Sequence, residues 1–330
     1  MLPIGKLDSD LLKDSVFKYL TFRHPQVLVR PSLGEDCAIL DAGTTLCVLT
    51  TDPITGSDGA LGRLAVHVNC NDVATQGIRP VGLMLTLLAP EGTTIEVIES
   101  VMAQAAAEAE RIGVEIIGGH TEITTAVNRL VISGVAVGLK PVSMQPCRKP
   151  APGDLLVMTK TAGLEGTGII AEDCAKQLAE ILTAEELDQG RELLNQVSVV
   201  EDGILGAQWG ALKMHDITEG GVFGAAWELS EIAGVGCFVE CDTISVHSVT
   251  RKICSHFEID PYRLISSGSM MMIFPPDLKE VEGFLKAAEA AGIPASIVGR
   301  LTESGRTVRM SDREIPLEAP KSDELYKVIR

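Results

Sequence analysis

NCNDVATQG, residues 69–77, places an acid where the sequence otherwise builds a core. Leu61 to Gln76 reads as a helix on which Asn69, Asp72 and Gln76 fall at i, i+3 and i+7, on one face. Val66, Val68, Val73 and Ala74 hem in that polar face. A carboxylate buried alone is costly, so Asp72 requires a cation or a hydrogen-bond donor beside it.

Three further segments set carboxylates beside glycines or at the ends of elements. GEDCAIL (34–40) puts Gly34, Glu35 and Asp36 directly before a strand. In TTDPITGSDGALG (50–62), Asp52 ends a strand and leads into a loop with Gly56, Gly59 and Gly62. HDITEGGVFG (215–224) sets Asp216, Thr218 and Glu219 before Gly220 and Gly221 at a helix start, whose free N–H groups suit an anion. Taken singly, Asp36 reads as a turn residue and Asp52 as a helix cap. Together these acids are hard oxygen ligands, of the kind that hold Mg²⁺ beside phosphates. There is no GxxxxGK[ST] and therefore no P-loop, and no GxGxxG opens a strand-to-helix turn.

EIIGGHTEIT (115–124) ends an apolar run in Gly118 and Gly119, followed by His120, Thr121 and Glu122. His-x-Glu is half of a zinc deaminase motif. The other half fails, because Pro146-Cys147 runs into Arg148, Lys149 and Pro150 without a second cysteine. The stretch is expected to be a Gly-Gly turn at a strand end.

Composition bounds the class. A chain of 330 residues is long for one core, which favours two domains. With 45% hydrophobic and 22% charged residues it shows no sign of disorder. The net charge of −17 disfavours nucleic acid and anionic membranes as partners, although acids can still hold phosphates through Mg²⁺. None of the eight cysteines forms a CxxC, which suits buried free thiols in a reducing compartment. The N-terminus lacks an apolar leader core, and no apolar run reaches the ~18 residues of a membrane span. A soluble, cytoplasmic protein is expected.

Strands and helices alternate along the chain. An amphipathic helix capped by Asp8 or Ser9 comes first, then strands at CAIL and LCVLTTD. After the 61–76 helix come the strand VGLMLTLL and a helix from Thr94, with a Thr93/Glu96 capping box and Gly113 as its stop. VEII and LVISGVAVG are two more strands. KPVSMQPCRKPAPGD (140–154), with four prolines in fifteen residues, marks the domain boundary. Strands LLVMT and MMMIF and helices near 185–197, 221–234 and 277–292 follow. The expectation is an α/β (α+β) protein with domains at 1–145 and 146–330.

The succession GEDCA, TTD, NxNDVATQG, GGHTE and DxTEGG resembles the ATP-binding superfamily of aminoimidazole ribonucleotide synthetase, thiamine-monophosphate kinase, selenophosphate synthetase and HypE. It runs from about Gly5 to Arg309. The GK opening (Gly5-Lys6), GEDCAIL and DITEGG look most like the HypE branch. This resemblance implies an N-terminal domain that binds ATP and pairs across a homodimer into a β-barrel, followed by a C-terminal α/β sandwich. It also implies that Asp36, Asp52, Asp72 and Asp216 hold Mg²⁺, and that Gly34, Asn69, Gly118, Gly119, Thr121, Gly220 and Gly221 line the nucleotide. TAGLEGTG (161–168) sits where relatives carry a Gly-rich loop, with Lys160 beside it to meet an anion or solvent.

Two departures stand out. HypE closes on a Pro-Arg-x-Cys tail whose cysteine is carbamoylated and then dehydrated, whereas this sequence reads ELYKVIR. That implies a missing acceptor thiol. His120 stands where relatives place an acid, so Glu122 would supply the charge, and both are candidate catalytic residues. The resemblance therefore implies an ATP- and Mg²⁺-dependent enzyme that activates a small substrate by phosphoryl transfer. The alternatives are a kinase like the thiamine-phosphate enzyme, or a non-catalytic nucleotide-binding partner of other maturation proteins.

Overall fold

The computed structural model describes residues 9–21, 23–55 and 59–329. Gly5, Lys6, Asp8 and Gly56, which carry expectations above, lie outside them. The first half runs α1 (Ser9–Ser15), β1 (Val27–Val29), β2 (Ala38–Asp41), β3 (Thr45–Ile54), α2 (Leu61–Ala74), β4 (Pro80–Ala89), α3 (Ile95–Ile112), β5 (Glu115–Ile123) and β6 (Val131–Pro141). Its strands form one sheet, ordered β1-β2-β3-β6-β4-β5, in which only the β4–β5 pair is parallel.

The second half opens with β7 (Leu155–Thr159), α4 (Leu164–Asp173), α5 (Ala175–Leu178), α6 (Ala184–Glu192), α7 (Val200–Gln208) and β8 (Lys213–Asp216). It continues through α8 (Gly221–Ala233), β9 (Gly236–Glu240), α9 (Ser248–Phe257), β10 (Met270–Phe274), α10 (Leu278–Ala290), β11 (Ala295–Thr302), β12 (Arg306–Met310) and β13 (Arg313–Pro316). These strands build a second sheet, ordered β13-β12-β9-β11-β7-β10-β8. The fold is thus mixed α/β with two sheets.

The helix read from the opening stretch is the keystone. Thirteen of the fourteen residues of α2 are buried, its polar His67, Asn69, Asn71 and Asp72 included, because elements of both halves cover it. It packs on β3, β6 and α3, and also on α7 of the second half. Asn71 joins the halves: its Nδ2 donates to Val197 O (2.8 Å), and Val199 N–H donates to its Oδ1 (2.9 Å). One apolar core therefore runs from Val48, Val66 and Leu83 to Met272, Phe274 and Phe284. A second core, with Phe223 and Leu229, lies beneath α8. The strand MMMIF serves both by its two-residue period, sending Met270, Met272 and Phe274 to the first and Met271 and Ile273 to the second.

Three local expectations are corrected. No capping box forms at 93–96: Thr94 precedes α3, and Thr93 Oγ1 donates to Pro90 O (2.8 Å) instead. The Gly-Gly turn is absent, because 115–123 is one edge strand paired to β4. Gly119 permits this: at φ +150° it lies so near Leu85 that a Cβ would stand 1.9 Å from the Leu85 carbonyl oxygen. The Gly-rich loop at 163–168 is largely the start of α4, where Gly166 and Gly168 admit Leu264 and Leu194.

Helices α2 and α3 lie on one face of the first sheet. The opposite face presents Leu49, Val135, Val137, Leu139 and Met84, and Leu139 and Met84 are 54% and 45% exposed.

Candidate functional site

Four acids named from the sequence meet where the halves join. Asp36 precedes β2, Asp52 is on β3, Asp72 is on α2, and Asp216 ends β8. Thr50 and Asp52 point to the same face of β3, above α2. Thr50 Oγ1 donates to Asp72 Oδ2 (2.5 Å) and is the donor that the buried acid required. Asn69, one turn earlier on α2, pins the neighbouring backbone. Its Oδ1 accepts from Asp52 N–H (2.8 Å), and its Nδ2 donates to Asp52 O (3.2 Å).

Electrostatics shows that the four act as one group. Burial, then the charges of Asp216, Asp52 and Asp36, push Asp72 well above the usual carboxylate range, against the pull of the Thr50 bond. Asp216 is pushed up to about 7 by burial and then by Asp36, with His215 working in the opposite direction. The first half supplies three of these acids and the second half supplies Asp216.

His215 is the cation within this group. Its Nδ1 lies 2.7 Å from Asp36 Oδ1 and its Nε2 2.8 Å from Glu228 Oε2. Burial opposes its charge, yet the two carboxylates outweigh burial and hold its pKa well above the ordinary histidine value. At the rim, Lys213 Nζ pairs with Glu35 Oε2 at 3.0 Å.

The donor set fits a hard divalent cation. Asp36 Oδ2 and Asp216 Oδ2 are buried and find no hydrogen-bond partner among the described residues. One ligand atom from each of Asp36, His215 and Asp216 lies within 4.8 Å of the other two. Carboxylate oxygens so placed suit Mg²⁺.

The other expected residues lie elsewhere or are otherwise engaged. In register, Asp52 stands opposite Gly134, Gly134 opposite Leu85, and Leu85 opposite Gly119. Three inter-strand steps therefore separate Asp52 from Gly119, about 14 Å. His120 and Glu122 also project from the opposite face, in register with Thr86 and Leu88 and exposed. His120 Nε2 lies 3.3 Å from Glu122 Oε2. Within one chain, then, Gly118, Gly119, His120, Thr121 and Glu122 do not reach the acids.

The start of α8 is not open to an anion. Gly220 N–H donates to Asp323 Oδ2 (2.7 Å), and Gly221 N–H to Thr218 O (3.0 Å). Gly221 is required there, since at φ +62° a Cβ would lie 2.6 Å from Tyr262 O. Gly34 serves packing, letting its segment approach Ile232 of α8. Lys160 is not solvated, and its charge is met within the chain: its Nζ donates to Ser198 O and Gly268 O (both 2.7 Å) and pairs with the carboxylate of Asp202 at 3.0 Å.

His215, Glu228 and Thr50 were missed as participants. His215 stood in the quoted HDITEGG motif, next to Asp216. Thr50 stood two residues before Asp52, the strand spacing that puts both on one face. Glu228 gives no local signal, because it sits mid-helix on α8 and its partner His215 is on β8, 13 residues earlier.

Residues 34–140 match the AIR synthase related protein N-terminal domain, and residues 151–311 match the C-terminal domain of the same family. The chain belongs to the AIR synthase related family. Among its relatives, carbamoyl dehydratase HypE of Rhodobacter capsulatus is 28% identical, over 93% of this chain and 89% of that protein. HypE of Azotobacter vinelandii is also 28% identical, over 80% and 77%. The fold matches a crystal structure of Escherichia coli HypE with a TM-score of 0.73 at 21% identity, covering 97% of this chain and 99% of that one. A HypE structure in complex with ATP gives 0.68 at 21%, covering 98% of each chain. AaThiL complexed with AMPPCP and TMP gives 0.69 at 19%, over 94% and 99%. Among the described residues, no helix of this family member is long and apolar enough to cross a membrane.

Proposed function

We propose that this chain is an ATP- and Mg²⁺-dependent enzyme of the HypE kind, activating an oxygen of a small carboxylate, carbamoyl or amide-type substrate by phosphoryl transfer. The observation that carries this reading is the convergence of Asp36, Asp52, Asp72 and Asp216, with two buried carboxylate oxygens unpartnered among the described residues. Buried acids in such number call for a cation. Bound there, Mg²⁺ would neutralise charge on the phosphate oxygens of ATP. The chain's own residues position the group: Thr50 holds Asp72, and Asn69 holds the backbone of Asp52. The carbamoyl dehydratase relatives and the ATP-bound HypE neighbour support the class and the nucleotide.

In this reading residues 1–145 form an ATP-binding, dimer-forming domain and 146–330 a second α/β domain. The apolar outer face of the first sheet supports pairing with a second copy into a β-barrel. His120 and Glu122 belong to that pairing face, and no chemical step is assigned to them. The fold also matches a HypE–HypF complex, which supports another maturation protein as a partner.

A second reading, a small-molecule kinase, is favoured by the likeness to AaThiL with its bound AMPPCP and TMP. ADP release from Mg-ATP separates the readings. ADP formed with carbamoyl or amide substrates supports the first, and ADP formed only with thiamine monophosphate supports the kinase. ATP binding with no turnover on any of them contradicts both and leaves a nucleotide-binding partner without chemistry of its own.

A further inference from the structure

Lys140, near the end of β6, is only 8% exposed. The two-residue period of the strand sets it on the face that carries Ile132, Ala136 and Gly138, all buried. Gly138 packs against Val73 and Ile78, so Lys140, two residues on, follows the end of α2. An ammonium enclosed in this way needs an anion or acceptors around it. Lys160 shows the usual solution, with two carbonyls and the Asp202 carboxylate about its Nζ. Lys140 makes no hydrogen bond or ion pair among the described residues. The charge acting most on it is another cation. Burial, then the charge of Lys213, pulls its pKa below the ordinary lysine value, so the two ammonium groups lie within electrostatic reach of each other. Lys213 makes one contact, with Glu35 Oε2 at 3.0 Å, and an ammonium has three donors.

We infer that Lys140 and Lys213 form a binding site for a small oxyanion, a phosphate or carboxylate group, taken up between β6 of the first half and β8 of the second. Lys140 offers it three N–H donors and Lys213 the two that Glu35 leaves unused. Paired ammonium groups are point charges that suit such an oxyanion. Glu35 competes with it for Lys213. The site goes beyond the metal-site reading proposed above and does not depend on it, since it binds through donors and needs no cation. It lies beside that site all the same, because Glu35, the partner of Lys213, immediately precedes Asp36.

Inorganic phosphate, titrated calorimetrically into the metal-free full chain at constant ionic strength, tests this. One saturable site is expected in the wild type. Lys140→Met keeps the enclosed stem and removes the charge, and is expected to weaken phosphate binding at least about tenfold. Glu35→Gln frees Lys213 and is expected to tighten it. Acetate in a competing titration identifies the occupant: displacement of phosphate assigns the site to carboxylate-bearing molecules as well, and its failure to compete assigns the site to phosphate. No saturable binding of either anion, an undiminished phosphate affinity in Lys140→Met, or an unchanged or weaker one in Glu35→Gln would overturn the inference. Because no metal is present, such a failure leaves the cation-site reading standing, and loss of the cation site leaves this one.

Discussion

Glu165, in the first turn of α4, is buried in the second half beside Ser267, Asp323 and Glu219. Burial lifts its pKa to about 7; the Ser267 hydrogen bond restrains the rise, and Asp323 and Glu219 add to it. Because the folded value lies above the unfolded one, Glu165 contributes fully at low pH, and that contribution is lost as pH rises through about 7. Glu165→Gln should therefore leave stability nearly unchanged at pH 5 and raise it at pH 8, by at most about 3 kcal/mol. Thermal melts at the two pH values check this, and a lower Tm for the variant at pH 8 would refute it. Single residues were legible where their neighbours exposed the conflict, as the valines around Asp72 did. Glu165 was not, since it sits in what reads as a Gly-rich loop. Its burial comes from the loop at 265–269 and the C-terminal segment, which the local pattern does not announce.

Elements with a long apolar period were legible: α2, α3, α8, α10, β3, β4, β6 and β10 fall within a few residues of where the sequence puts them. The short strands β8, β9, β12 and β13 were not, because charged residues break their four or five positions, whereas the equally short β10 is an unbroken apolar run. The edge strand β5 was cut short at its glycines. A Gly-Gly pair reads as a turn, while here it is what lets β5 approach β4. Docking of the halves was equally hidden, because Asn71 looks like one polar residue among several on α2. Both of its amide contacts cross to the second half. Asn71→Ala strands a buried carbonyl and a buried N–H, and should destabilise the protein by about 3 kcal/mol. Urea denaturation measures it, and a loss below about 0.5 kcal/mol, the scale of a surface substitution, would deny the residue this role.

At the scale of the whole molecule, two sheets meet along α2 and place acids from both halves at one junction. The far face of the first sheet remains partly exposed and apolar. If it pairs with a second copy, light scattering will give a dimer for the wild type and a monomer for Val137→Glu, which sets a charge at its centre. A monomeric wild type at micromolar concentration would remove the barrel from the account. The central claim is that the acids at the junction hold a divalent cation for ATP, and Asp72→Asn tests it most directly, keeping size while removing the charge. Calorimetric titration of ATP with and without Mg²⁺ should show Mg²⁺-dependent binding to the wild type and at least a tenfold weaker affinity in the variant, about 1.4 kcal/mol. Unchanged Mg-ATP affinity in Asp72→Asn would contradict the account.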